Sequence, residues 1–157
     1  MRVKIGDKKI FSNSIKMLFN IDIDIEKLNA ITFDSRNLKK GDVFVALSGK
    51  NSDGHNYIQK CVDKGASLII NERIKSNKIL EVKSSKETLG ELANLYRSQM
   101  NCKVIGITGS NGKTTTKELL AHILNSNYRT SYTRENYNST IGMPMSLFAI
   151  KKTDDIF

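Results

Sequence analysis

Apolar positions along the chain change period several times, and each change marks an element. Ile31–Ser35 and Val43–Leu47 are short β-branched or apolar runs separated by Asn37–Asp42, whose polar and glycine content is that of a turn; they read as neighbouring strands. From His55 to Lys64 the apolar Tyr57, Ile58, Cys61 and Val62 recur at helical spacing, and Gly65 follows where a left-handed C-cap is expected. Ser67–Ile70 reads as a buried strand. A second helix begins near Ser84, whose hydroxyl can cap it while Glu87, three residues on, supplies the reciprocal half of a capping box. Leu89, Leu92, Ala93 and Tyr96 form its apolar stripe.

After Gln99–Asn101 the pattern changes, which places a domain boundary near residue 101, with one domain over 1–100 and the start of another over 101–157. Val104–Thr108 is a compact strand that runs into a glycine turn and a helix over Thr114–Leu124. A short strand near Arg129–Thr133 leads to the polar segment Arg134–Ser139. Pro144 then sits in a first helical turn, with Met145, Leu147, Phe148 and Ile150 behind it. Asp154–Phe157 looks like a strand that has only begun, so the chain is expected to stop inside a domain and to leave a sheet edge that needs covering. Strands alternating with helices make the fold class α/β.

Composition narrows the picture. With 39% hydrophobic and 26% charged residues the chain has an ordinary globular balance. The excess of 25 Lys+Arg over 16 Asp+Glu, a formal charge of +9, favours anionic partners, but the cations are scattered singly or in pairs. No dense or aromatic-interleaved basic run exists, which argues against nucleic acid. Cys61 and Cys102 share no metal or redox spacing and are expected to be reduced core thiols. No apolar run approaches the roughly 20 residues of a membrane span, and MRVKIGDKKIF lacks the features of a secretion signal, so the cytoplasm is expected.

The chemistry concentrates in VIGITGSNGKTTTKELLAHIL, where strand, glycine turn and helix follow in the order an anion site requires. Gly109 and Gly112 let the backbone turn tightly and approach a ligand, so that N–H groups around Ser110 and Asn111 can converge on phosphate at the positive end of the helix. Lys113 can reach the β- and γ-phosphates of ATP, and the Thr114 hydroxyl is placed to ligate Mg²⁺. The spacing departs from the usual phosphate-loop motif, since Ile107 stands where its first glycine would be. Thr115 and Thr116 are either further ligands or ordinary early-helix hydroxyls. His122, in mid-helix beside apolar residues, suits packing or the surface rather than catalysis.

ITGSNGKTTTKE resembles the ATP loop of the Mur ligase family, the enzymes that extend the peptidoglycan precursor, whose signature is a T-G-x-N-G-K-T core. The earlier stretch DSRNLKKGDVFVALSGKNSDGHNYIQKCVDKGA resembles the uridine-nucleotide-sugar-binding domain of two such ligases. Of these, KTTTKE and NYNSTIGMP look more like the branch that adds D-alanyl-D-alanine than the one that adds a diamino acid. The resemblance runs from about Thr32 to Phe157. It implies a small α/β nucleotide-sugar-binding domain followed by the beginning of a P-loop parallel-sheet ATPase domain, truncated.

Carried onto this sequence, the resemblance implies ATP contacts from Gly109, Ser110, Asn111, Gly112, Lys113, Thr114 and Thr115, with Lys113 and Thr114 catalytic and Thr114 on Mg²⁺. Asn136 and Asn138 match an asparagine segment near the nucleotide, although turn chemistry favours asparagine there equally. Ser35 and Arg36 match a D-S-R segment at the nucleotide-sugar site, where an Arg fork suits a diphosphate and a strand-end turn is the simpler alternative. Asp53, Gly54 and His55 match a D-G-H segment better explained as a turn and helix cap. The implied reaction joins D-alanyl-D-alanine to UDP-N-acetylmuramoyl-tripeptide through an acyl phosphate, in an enzyme expected to be monomeric at full length. The Mg²⁺-binding acid, a histidine, a modified lysine and a carboxy-terminal domain are expected beyond Phe157, so this piece alone is expected to be inactive. The alternatives are a non-catalytic nucleotide-binding fragment and the ligase adding a diamino acid to UDP-N-acetylmuramoyl-dipeptide.

Overall fold

A computed structural model describes residues 1–49, 52–133, 137 and 139–157. The first hundred residues build a five-stranded sheet in the order β1-β2-β3-β4-β5: Arg2–Lys4, Ala30–Thr32, Val43–Val45, Leu68–Asn71 and Ile79–Glu81. Strand β1 runs antiparallel to β2, and every later pairing is parallel, as expected where helices return the chain across the sheet. Strands β2, β3 and β4 are buried at every position, the mark of a sheet covered on both faces.

Alternation along those strands sorts the core. Val43, Val45, Leu68 and Ile70 face helices α1 (Lys8–Phe19) and α3 (Ser85–Ser98), whereas Phe44, Ala46 and Ile69 face helix α2 (Ile58–Asp63). The expected strands and helices of this half are present. Gly65 takes a left-handed φ of 79° after α2, and the Ser84 hydroxyl accepts from Glu87 N–H at 3.2 Å. Leu89, Leu92, Ala93 and Tyr96 are all buried. Periodicity does not single out β1, α1 or β5. In α1 the buried face mixes Ile10, Phe11 and Ile15 with Ser12 and Ser14, which blurs the stripe, although Asp7 caps it by accepting from Ile10 N–H at 2.9 Å. Strand β1 is tied to the turn before β3 by a two-bond fork from Arg2 to the fully buried Asp42, at 2.7 and 2.8 Å.

Beyond residue 101 the fold is looser. The expected strand at Val104–Thr108 does not form as a regular strand: the described bridge there, Lys103 to Ile156, lies just before it, and the stretch near Arg129–Thr133 has a single described bridge, Thr130 to Ile156. Among the described residues only 155–157 pair their backbone with either stretch, so the parallel ladder is short, and Val104 and Ile105 are 41% and 44% exposed. Helix α4 covers Lys113–Leu124 and α5 covers Gly142–Leu147. The latter returns to the first unit: Met145, Phe148 and Ile150 share one core with α1 and α3, and the rings of Phe11, Tyr96 and Phe148 meet edge to face.

Candidate active site

The glycine turn has the form of an anion cup. Gly109 has φ 145° and Gly112 φ 78°, conformations that side chains disfavour, so the turn depends on both glycines. No backbone N–H from Gly106 to Gly112 donates a hydrogen bond to a described residue. Gly112 caps α4 without any side-chain hydrogen bond, and no acid lies in the first helical turn, which leaves the positive end of the helix dipole unopposed. The Lys113 ammonium folds over the turn, donating to the Gly109 carbonyl and, at 3.3 Å, to that of Ser110. Ser110, Asn111, Thr114 and Thr115 are exposed around it.

Gly106, Ile107, Lys113 and Thr114 line a cavity of about 390 Å³ whose other walls come from α4, residues 130–133 and α5. Its charged lining consists of Arg97, Lys113 and Lys117, with no carboxylate among the described lining residues. His122 is exposed, which selects the surface from the two placements, packing or surface, expected for it. Asn136 and Asn138 lie outside the described residues.

A second cavity, of about 520 Å³, opens at the carboxyl ends of β2 and β3 and does bring Ser35 and Arg36 together with Ser48, Tyr57 and Lys60. Arg36 is not a free fork, however: its guanidinium holds Asp34 at 2.9 and 3.1 Å and thereby lowers the Asp34 carboxyl to a pKa of about 2. Ser35 is buried, and its carbonyl accepts from Lys64 Nζ at 2.8 Å. The acid two residues before the arginine was the signal for this pairing. Phe33, Tyr57, Lys60 and Ile141, drawn from three separate stretches, complete the cavity with no local motif to announce them.

Asp53, Gly54 and His55 behave as a structural cap. Asp53 accepts from His55 N–H at 3.0 Å at the head of a 3₁₀ turn over Gly54–Tyr57 and is held well below the usual carboxylate range, first by that backbone bond and then by the His55 ring and Arg73. His55 Nδ1 bonds to Asp53 at 2.6 Å, and its Nε2 accepts from Glu72 N–H at 3.2 Å, so both ring nitrogens are occupied and neither is left for chemistry. Cys61 and Cys102 are free and buried, and burial pushes the Cys61 thiol up to about 11, so it is inert. Among the described residues no group of three His, Cys, Asp or Glu side chains could hold a metal, and no helix is long and apolar enough to cross a membrane.

Residues 27–97 match the Mur ligase family, catalytic domain, and residues 107–157 match the Mur ligase middle domain. The UDP-N-acetylmuramoyl-tripeptide--D-alanyl-D-alanine ligase of Rickettsia prowazekii is 38% identical over 141 residues, covering 87% of this chain and 31% of that protein. The UDP-N-acetylmuramoyl-L-alanyl-D-glutamate--2,6-diaminopimelate ligase of Clostridium tetani is 40% identical over 114 residues, covering 67% of this chain and 23% of that protein. The crystal structure of MurF ligase from Thermotoga maritima in complex with ADP superposes with a TM-score of 0.74 at 39% identity, over 80% of this chain and 30% of that one. The chain thus spans between about a quarter and a third of the length of these relatives.

Proposed function

This chain belongs to the Mur ligase family, and we propose that it is the part of an ATP-dependent ligase that holds ATP and a UDP-N-acetylmuramoyl-peptide. The reaction we assign is the joining of D-alanyl-D-alanine to UDP-N-acetylmuramoyl-tripeptide in the cytoplasm, for peptidoglycan synthesis. In this reading residues 1–100 form the nucleotide-sugar unit and residues from 101 onward belong to the ATP unit, with α5 reaching back onto the first.

The observation that carries the reading is the row of backbone N–H groups from Gly106 to Gly112 without described acceptors, closed by the Lys113 ammonium. Such a row suits the oxygens of a triphosphate, whose charge it neutralises without reorganisation. ATP supplies its γ-phosphoryl group to the substrate carboxylate, with ADP leaving, and the incoming amine attacks the resulting acyl phosphate, losing a proton as inorganic phosphate departs; the carboxylate alone is too poor an electrophile. Lys113 exchanges its carbonyl partners for phosphate oxygens, and the backbone at Gly109–Gly112 positions the chain of phosphates for transfer. The Thr114 hydroxyl, in the first turn of α4 and lining the same cavity as Lys113, is the Mg²⁺ ligand we assign. Ser35 and Arg36 border the nucleotide-sugar cavity, and Arg36 reaches a diphosphate only by giving up Asp34.

Calorimetric titration of MgATP tests this. Lys113→Ala is expected to weaken binding by roughly tenfold or more, the scale of a charge-assisted bond, without lowering the melting temperature, because the side chain touches only the loop. Unchanged affinity removes the reading. A second reading, the diaminopimelate-adding ligase, is favoured by the 40% identity to the Clostridium tetani protein. Binding of UDP-N-acetylmuramoyl-dipeptide in preference to the tripeptide would select it.

A further inference from the structure

Helix α4 carries a second lysine, Lys117, four residues after Lys113 and therefore on the same face. Its ammonium donates to the Thr133 carbonyl at 2.7 Å and stands 5.6 Å from the centre of the Tyr132 ring. Among the described residues this is the one hydrogen bond that reaches Tyr132 or Thr133. The residues just before them are held differently, Arg129 by Asp155 and Ser131 by the Ile156 carbonyl. Among the described hydrogen bonds, then, Lys117 is what ties Tyr132–Thr133 to α4. Lys113, Thr114, Lys117, Tyr132 and Thr133 all line the cavity beside the phosphate loop.

We propose that Lys117 is a positioning residue for the nucleotide: it pins the Tyr132–Thr133 wall against α4 and so sets the shape of the cavity into which Lys113 and Thr114 project. This rests on the phosphate loop binding ATP. A carbonyl and a ring face hold the ammonium without cancelling its charge, so Lys117 also adds a positive charge below the loop. The two effects separate by salt, since a bare charge is screened and a packing clamp is not.

The test is MgATP titration of the whole 157-residue chain by calorimetry, with a thermal melt of each variant. Lys117→Met, which keeps the stem and removes the ammonium, is expected to lose about tenfold in affinity at an unchanged melting temperature, the scale of one charge-assisted bond. The loss persists between about 0.1 and 1 M salt, over which the screening length falls from roughly 10 to 3 Å. Lys117→Arg keeps a donor and a cation over the ring and stays within about twofold of the parent. An affinity for Lys117→Met within that same margin, a loss that disappears in high salt, or an equal loss in Lys117→Arg overturns the proposal. If Lys117→Met does not fold, Lys117→Gln is read by the same criteria. Lys113→Ala separates the two levels: normal affinity there defeats the phosphate-loop reading itself, whereas a loss there with none in Lys117→Met defeats this inference alone.

Discussion

Tyr96→Phe probes the joint between the first unit and the segment that follows the phosphate loop. The Tyr96 hydroxyl donates to the Ile150 carbonyl at 2.6 Å and accepts from Asp7 N–H at 2.8 Å, so one oxygen ties α3 to the cap of α1 and to the end of the α5 segment. The ring, fully buried between Phe11 and Phe148, is kept by the substitution. What is lost is two hydrogen bonds, with a carbonyl and an amide left without their partner. At roughly 1–2 kcal/mol for each, the expected destabilisation is about 2–4 kcal/mol. For a chain of this size that corresponds to a fall in melting temperature of roughly 5–15 °C. Urea unfolding followed by circular dichroism measures it, and a loss below about 0.5 kcal/mol refutes the claim that these bonds hold the joint. An alkaline arm adds a second check. Burial raises the Tyr96 phenol above its ordinary value of 10, so the unfolded chain releases this proton first. The group's contribution is complete below pH 10 and declines as pH rises toward the native value, and Tyr96→Phe should show a flatter decline above pH 10.

Two further substitutions test the description. Because the side-chain bond from Arg36 is the largest cause of the lowered Asp34 pKa, Arg36→Ala should move the Asp34 titration, followed by NMR, from about 2 up toward 3.8. With a depressed native value the pair stabilises the fold above pH 3.8 and loses that effect as pH falls toward 2, so the variant should lose less stability over that interval; an Asp34 titration unmoved by the change contradicts the pairing. Gly6→Ala places a Cβ 2.2 Å from the Ile150 carbonyl oxygen, against backbone that Gly6 N–H already holds through the Phe148 carbonyl at 2.8 Å. It should destabilise by more than about 2 kcal/mol, and a melt like the parent's would show that this contact has room to give.

The local features were legible because their causes are local. The cap at Ser84, the left-handed Gly65 and the alternation through β3 and β4 each depend on residues within a few positions of one another. The glycine turn before α4 belongs with them: glycine freedom at Gly109 and Gly112, followed at once by Lys113 and a helix start, specifies the turn without reference to the rest of the chain. The Asp34–Arg36 pairing was equally local, yet a motif that singles out the arginine hides the acid two residues earlier.

What the amino-acid order determined by itself was the glycine turn before α4, the buried strands β2, β3 and β4, and helices α2, α3, α4 and α5. Only the tertiary structure decided that α5 returns to the first unit through Phe148 and Ile150, that Arg2 meets Asp42, that His55 is closed off by the Glu72 amide, and that Lys117 reaches Thr133. Those contacts join residues 16 to 142 positions apart. Periodicity reports which face of an element is apolar; it carries no information about which distant face will cover it, since burial rewards any complementary surface and only the packed whole selects one.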